Sequence, residues 1–399
     1  MKRVVLAYSG GLDTSVAVPW LAEQGYEVVA VAVDVGQPGD LTGAVERAYA
    51  LGAVEARLVD AKERFVTDYV LPTLSMNALY MGRYPLVSAL SRPLISEILV
   101  EIARETGAEA VAHGCTGKGN DQVRFEVSLT ALAPEIEVLA PVRDWGMGRD
   151  DTIEYARERN LPVTTTKASP YSIDENLWGR SIECGVLEDP WTSPPEDVYE
   201  MTSSPKDLSA SRDVEIGFEG GAPVSVDGEL LDPLASVELV GKIAGSFGFG
   251  RIDMVEDRLV GIKSREIYEA PAALALITAH RDLEGLVLER SYAREKRRLE
   301  SLWSDLVYEG QWFSPLREGI EAFVAVGNAH VTGEVKLRFS AGGCAVVGRR
   351  STQSLYDHSL ATYDQGDAFE HGDAAGFIRL WGLPLKKWAQ THRRTGETP

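Results

Sequence analysis

The run Ala7-Tyr8-Ser9-Gly10-Gly11-Leu12-Asp13-Thr14-Ser15 decides the fold of the first part of this chain. It overlaps the end of an apolar run, residues 4–8, that predicts a β-strand, and it precedes a segment with helical spacing. The two glycines let the backbone turn sharply and come close to a ligand. Because a helix N-terminus presents unpaired N–H groups and a positive dipole end, the run predicts an anion-binding turn between a strand and a helix.

This turn is neither of the two commonest nucleotide-binding loops. It has no lysine after the second glycine, as GxxxxGK[ST] requires, and it lacks the GxGxxG spacing. It resembles the SGGxD[ST]S loop of the ATP pyrophosphatases, which implies cleavage of ATP between its α and β phosphates. Asp13 is expected to hold Mg²⁺, because a carboxylate beside a triphosphate repels it unless a cation lies between them. The alternative is a ligand-free Gly/Ser-rich turn with an aspartate cap.

The sequence around this run predicts an α/β fold. Short apolar runs alternate with helical segments up to residue 165, which indicates a parallel twisted sheet flanked by helices. Further strands are expected at residues 28–33, 56–59, 110–113 and 137–140, and a helix at 41–51. Pro19 predicts a bend or a short first turn in the first helix. A Ser/Pro/Asp-rich stretch then predicts the boundary between a nucleotide-binding domain, 1–165, and a second domain, 166–365.

The second domain is expected to be α+β. Alternating apolar and polar residues predict strands at 214–219, 321–327, 334–340 and 344–349, and one long helix is expected from residue 271 to about 309. The tail, 366–399, has apolar residues at helical spacing. A segment this short cannot bury an apolar face alone, so it is expected to dock either on its own chain or on another subunit.

Composition restricts the partners. The formal net charge is -20, which disfavours nucleic acid and favours small substrates. Cys115, Cys184 and Cys344 are widely separated and suggest neither zinc nor a disulfide framework, so a reducing cytoplasm is expected. The first residues predict no signal peptide, and no apolar run reaches the length of a membrane span.

A second glycine-rich run, from His113 to Glu126, predicts another ligand-facing loop between a strand and a helix. Its polar residues offer donors and acceptors of both charge signs, as a zwitterionic amino acid requires. Arg124 suits a carboxylate and Lys118 a phosphate. The alternatives are a core histidine for His113 and a small apolar filler for Cys115. Backbone near Val33, at the end of the second predicted strand, is a candidate contact for ATP.

Together, AYSGGLDTS and HGxTGKGNDQxRFE resemble the argininosuccinate synthase family, and shorter matches extend this resemblance over almost the whole chain. The resemblance implies ATP, Mg²⁺, citrulline and aspartate as ligands and a homotetramer. It implies that Gly114 joins residues 7–15 at ATP. The catalytic candidates, by their charge and position, are Asp13, Lys118 and Asp121, and the general base stays unassigned. The implied aspartate-binding residues are Thr116, Asn120 and Asp121, and those for citrulline are Tyr84, Ser88, Asn120, Arg124, Ser172, Ser181, Glu256 and Tyr268. Ser88 is expected to replace a family serine that is Ala89 here.

Two rival functions remain open at this point. An RNA-modifying enzyme could use the same loop to adenylate a tRNA base, although it would need a basic surface. A regulatory module could keep the nucleotide loop without catalysis, although several separate polar loops make this a poorer explanation.

Overall fold

A computed structural model describes residues 2–117, 119–162, 170–363 and 367–392, apart from the side chains of residues 149 and 207. The chain forms two compact units, Met1–Gln353 and Ser354–Pro399. The predicted roles of Lys118 concern a residue outside the described ones.

The first part of the larger unit alternates strands and helices. The elements are β1 (Lys2–Ala7), α1 (Leu12–Glu23), β2 (Tyr26–Asp34), α2 (Leu41–Ala50), β3 (Glu55–Asp60), α3 (Lys62–Phe65), a short π-helix (Val66–Val70), α4 (Leu71–Ser75), α5 (Val87–Thr106), β4 (Ala110–Ala112), α6 (Asn120–Leu132), β5 (Glu137–Leu139), α7 (Pro141–Asp144) and α8 (Arg149–Glu158). The five strands form one parallel sheet in the order β3-β2-β1-β4-β5.

Both faces of this sheet are buried, which explains why its central strands are apolar throughout. On one face Val4 and Leu6 belong to a core cluster with residues of α1 and α2. On the other face Val5 belongs to a larger core that includes residues of α5 and of the later helices. The α/β class and the flanking helices are therefore confirmed. Helix α1 continues through Pro19, and the bend predicted there stays a prediction.

The rest of the larger unit, as far as the structure describes it, contains two antiparallel sheets and four α-helices. The elements are β6 (Ser172–Asn176), β7 (Gly179–Glu183), short 3-10 helices (Gly185–Glu188, Glu196–Val198 and Pro205–Asp207), β8 (Arg212–Glu219), β9 (Ala222–Val226), β10 (Glu229–Leu230), α9 (Pro233–Ser246), β11 (Arg251–Asp257), β12 (Lys263–Glu269), α10 (Pro271–Val287), α11 (Arg290–Tyr308), α12 (Pro315–Asn328), β13 (Gly333–Ser340) and β14 (Gly343–Arg350). The strand orders of the sheets are β11-β12-β7-β6 and β10-β9-β8-β13-β14. No helix in the described part of the chain is long and apolar enough to cross a membrane.

The strand predicted at 321–327 is wrong, because these residues lie in helix α12. Ser314 caps the helix by accepting from the N–H of Arg317, and Pro315 occupies its first position. Its buried residues Arg317, Ile320, Val324 and Gly327 recur every three or four positions, so the helical period decided this segment over its local alternation.

The single helix predicted from 271 to about 309 is also wrong, because α10 ends at Val287 and α11 begins at Arg290. Glu289 has extended backbone angles and accepts hydrogen bonds from the N–H groups of Ser291 and Tyr292, 2.9 and 3.0 Å away. Glutamate is outside the usual capping set of Ser, Thr, Asp and Asn, so the sequence pattern gave no sign of this break.

The smaller unit contains α13 (His358–Ala361), α14 (His371–Trp381) and α15 (Leu383–His392). The helical tail is therefore confirmed. Large apolar side chains on the last two helices are exposed, among them Phe377, Leu380, Trp381, Leu385 and Trp388.

Two glycines of α12 provide a test of its packing. A Cβ atom at Gly327 would lie 2.2 Å from the Tyr292 ring, whereas one at Gly319 would have no neighbour within 4 Å. Gly327→Ala should lower the free energy of unfolding by about 1–3 kcal/mol through overpacking. Gly319→Ala should raise it by about 0.5–1 kcal/mol through helix propensity. Urea unfolding of both variants checks this, and equal effects would contradict the helix and its contact.

Candidate active site

The two predicted glycine-rich loops, which follow β1 and β4, lie close together because these strands are neighbours in the sheet. Strand β1 pairs in parallel with both β2 and β4, so the strand order reverses between β1 and β4. Ligands of open α/β sheets bind at the carboxyl edge at this point. The contact is close, since a Cβ atom at Gly114 would lie 2.7 Å from Cγ2 of Thr14.

The loop after β1 has the geometry of an anion site. Gly10 has φ +74, which L side chains adopt at a cost, and Gly11 precedes the first turn of α1 without a side chain capping it. The hydroxyls of Ser9 and Thr14 are 3.1 Å apart, and that of Ser15 lies 3.2 Å from the Tyr8 hydroxyl. The helix N-terminus thus faces the loop with its positive dipole end.

A cavity of about 630 Å³ extends from this loop into the second part of the larger unit. This volume is in the usual range for small-ligand sites. The predicted residues that line it are Ala7, Tyr8, Ser9, Asp13, Thr14, Val33 and Gly114 from the ATP set, Thr116, Asn120 and Asp121 from the aspartate set, and Tyr84, Ser88, Asn120, Arg124, Ser172, Ser181, Glu256 and Tyr268 from the citrulline set.

Four residues of the predicted ATP set do not line the cavity. Gly10, Gly11, Leu12 and Ser15 are not among the lining residues, and they form the turn and the start of α1. The carbonyl oxygen of Val33 accepts a 2.6 Å hydrogen bond from the Gln37 amide.

Asp34 and Gln37 serve the local turn. Asp34 accepts from the N–H of Gly36 and pairs with Lys62 at 2.8 Å. The Gln37 side chain bridges the Val33 carbonyl and the Val35 N–H.

The structure shows the surroundings of His113 and Cys115, for which the sequence left a core histidine and a small apolar filler as alternatives. Nδ1 of buried His113 accepts a hydrogen bond from the N–H of Cys115 at 3.2 Å, and Nε2 lies 3.4 Å from Glu126. Burial lowers the pKa of His113, so the ring is neutral with its proton on Nε2. This buried ring holds the start of the second loop. Burial raises the pKa of the Cys115 thiol to about 12, which makes it unreactive.

Arg92 organises the charged part of the cavity. Its guanidinium contacts Asp121 and Asp174, each at 2.7 Å, and Arg124 contacts Asp121 at 2.8 Å. Burial alone would raise the pKa of Asp121, but the two arginines outweigh it and the pKa is lowered. Burial raises the pKa of Asp174, which Arg92 offsets only in part. Asp121 is therefore held as a carboxylate.

Aromatic side chains form a wall beside Glu256. The Tyr84 and Tyr268 rings stack 4.3 Å apart, and the Tyr268 hydroxyl donates to Glu256 at 2.9 Å. The Tyr84 hydroxyl lies 3.1 Å from that of Ser88, which lines the cavity, whereas Ala89 is buried in the core.

Sequence patterns missed several cavity residues. Two of the shorter stretches that resemble the family contain such residues without assigning them a role. Arg92 lies in Ser91-Arg92-Pro93, and Asp174 lies in Ser172-Ile173-Asp174-Glu175-Asn176, on the hairpin of β6 and β7. Arg258, which pairs with Glu183 and Glu266, gave no signal. Burial raises the pKa of Glu266 to about 8, and the nearby Glu183 adds to the shift.

Comparisons with known proteins agree with this geometry. The family model "Arginosuccinate synthase N-terminal HUP domain" matches residues 3–162, and "Arginosuccinate synthase C-terminal domain" matches residues 171–388. The chain belongs to the argininosuccinate synthase family. An argininosuccinate synthase of Brevibacillus brevis is 56% identical over 393 residues, which cover 98% of this chain and 94% of that protein.

These matches favour the argininosuccinate synthase family over both an RNA-modifying enzyme and a non-catalytic module. Among solved structures, a predicted tRNA methyltransferase subunit from Methanocaldococcus jannaschii is 20% identical and covers 40% of this chain and 77% of its own. Its TM-score of 0.29 is too low for structural inference.

Proposed function

We propose that this chain joins L-citrulline to L-aspartate with cleavage of ATP to AMP and pyrophosphate. The observation that carries the proposal is that the loop after β1, which we call the phosphate loop, shares one cavity with paired arginines and carboxylates. ATP needs a locally positive site on a chain of net charge -20, and the N-terminus of α1 supplies one. The mixed charges beyond it suit zwitterionic amino acids.

The reaction proceeds in two steps. The ureido oxygen of citrulline attacks the α-phosphorus of ATP, and the bond to the β-phosphate oxygen breaks, which gives citrullyl-AMP and pyrophosphate. The amine of aspartate then attacks the ureido carbon, loses a proton, and displaces AMP to form argininosuccinate. Loop N–H groups and the hydroxyls of Ser9 and Thr14 stabilise charge on the phosphates.

The roles of the amino-acid-binding residues follow from their charges. Arg124, Ser172 and Ser181 offer donors to citrulline, and Glu256 with the Tyr84–Tyr268 wall offers an acceptor and an apolar face. Thr116 and Asp121 hold aspartate, and Asn120 contacts both aspartate and citrulline. Because the pKa of Asp121 is lowered, we assign it to hold the ammonium group of aspartate and not to remove its proton.

Asp13 is the proposed Mg²⁺ contact. Among residues 2–117, 119–162, 170–363 and 367–392, no cluster of three metal-ligating side chains occurs. Mg²⁺ bound to nucleotides commonly uses only one or two carboxylates together with phosphate oxygens, so a single Asp13 lining the cavity fits it. The ion would neutralise phosphate charge when bound.

Assembly, location and domain limits are part of the same proposal. The exposed apolar side chains of the last two helices fit an oligomerisation tail, 366–399, in a homotetramer, which light scattering would check. We also propose residues 1–165 as the nucleotide-binding domain and residues 166–365 as the second domain. The three cysteines are unbridged, which supports a cytoplasmic location.

Pyrophosphate release tests the reaction. With Mg·ATP, release should require citrulline and should not occur with aspartate alone, and argininosuccinate should form only when both are present. Ornithine is the matched control, because it lacks the ureido oxygen and should give no release. Absence of release in every mixture, or release without citrulline, would refute the proposal.

Asp13→Asn tests the magnesium assignment. The change removes the charge and keeps the shape, so the rate should fall about a hundredfold and more Mg²⁺ should be needed for half-maximal rate. Asp232→Asn is the control, because this exposed residue only caps α9 and asparagine caps equally well. A normal rate and Mg²⁺ dependence for Asp13→Asn would remove Asp13 from the site.

A further inference from the structure

Tyr308 lies behind the proposed citrulline site and is not among the residues that line the cavity. It is the last residue of α11, and 1% of it is exposed. Its hydroxyl donates to Oε1 of Glu256 at 2.9 Å and accepts from Nδ2 of Asn120 at 2.8 Å. One hydroxyl therefore joins two of the residues proposed to contact citrulline.

The backbone and ring of Tyr308 contact a third such residue. Nε of Arg124 donates to the Tyr308 carbonyl oxygen at 3.0 Å, and the guanidinium carbon lies 4.9 Å from the ring centre. The ring also stacks on Tyr80 at 3.5 Å and meets the edge of Tyr84 at 6.2 Å. These contacts keep the ring in one position independently of its hydroxyl.

The hydroxyl sets the orientation of both partners. The Asn120 amide donates to Tyr308 and its oxygen accepts from the N–H of Leu259 at 3.0 Å, so the amide has one favourable orientation. The second oxygen of Glu256 is held by Tyr268, which leaves Tyr308 to fix the first. Removing one hydroxyl would take away one of the hydrogen bonds that orient each side chain, on α6 and on β11.

We propose that Tyr308 is a positioning residue that orients Asn120 and Glu256 for citrulline. This inference rests on the proposed function, because it takes citrulline as the ligand of those side chains. Burial raises the pKa of Tyr308 well above its usual value, so the hydroxyl keeps its proton at working pH. Its two hydrogen bonds use one donor and one lone pair, which a hydroxyl can supply together.

The test is Tyr308→Phe, which keeps the ring contacts and the carbonyl bond to Arg124. Tyr69→Phe is the matched control. Tyr69 is also 1% exposed, stacks on Trp312 at 4.5 Å, and donates to Glu97 at 2.6 Å, away from the cavity. Both variants lose one buried hydroxyl that donates to a carboxylate, so both should unfold at a lower temperature.

Only Tyr308→Phe should change substrate use. Its KM for citrulline should rise about tenfold or more, because Asn120 and Glu256 would then hold the orientation that binds citrulline in only about a tenth of the molecules or fewer. Its KM for ATP should stay within about twofold, because no hydrogen bond or ring contact joins Tyr308 to the phosphate loop in the described chain. Tyr69→Phe should keep every KM within about twofold of wild type.

Three outcomes would overturn the inference. An unchanged KM for citrulline, with wild-type protein active, would overturn it and leave the proposed function standing. Equal rises in the KM values of citrulline and ATP would show a general structural role. Wild-type protein without citrulline-dependent pyrophosphate release would overturn both proposals.

Discussion

The parallel pairing of β1 with β4 is the constraint on which the site depends. Because β1 also pairs with β2 on its other side, the strand order reverses there and the two glycine-rich loops leave the sheet side by side. Gly114 and Thr14 approach each other closely, so little space separates the two loops. A nucleotide on the first loop would therefore present its phosphates directly to a substrate held by the second.

Charge within the cavity is strongly paired although the chain as a whole is acidic. Arg92 and Arg124 surround Asp121, and Arg258 lies between Glu183 and Glu266. Buried charges need partners, since an unpaired one loses its hydration without compensation. The cavity thus offers fixed groups of both signs, and its cationic groups are already positioned before a ligand arrives. Fixed groups of both signs can recognise the charged ends of an amino acid directly, whereas the net charge of the chain cannot.

Local patterns in the sequence predicted the elements with regular periodicity and the two loops that follow strands. They failed where two local periods compete, where a helix cap is unusual, and where a contact distant in sequence decides the outcome. The segment around Ile320 and Val324 alternates like a strand but packs as a helix, and the break at Glu289 depends on an unusual cap. Tyr308 supports Asn120 across 188 positions of sequence, and no local pattern reports such a contact. Arg92 was visible in a motif, but its two carboxylate partners come from α6 and β6.

The arrangement makes one claim central, which is that citrulline attacks ATP through its ureido oxygen inside this cavity. Citrulline labelled with ¹⁸O at that oxygen tests it most directly, with the products separated and weighed by mass spectrometry. Attack by the ureido oxygen predicts one ¹⁸O atom in AMP and none in pyrophosphate, because the attacking oxygen leaves with the α-phosphorus when aspartate displaces AMP. Unlabelled AMP formed together with argininosuccinate would contradict attack by this oxygen.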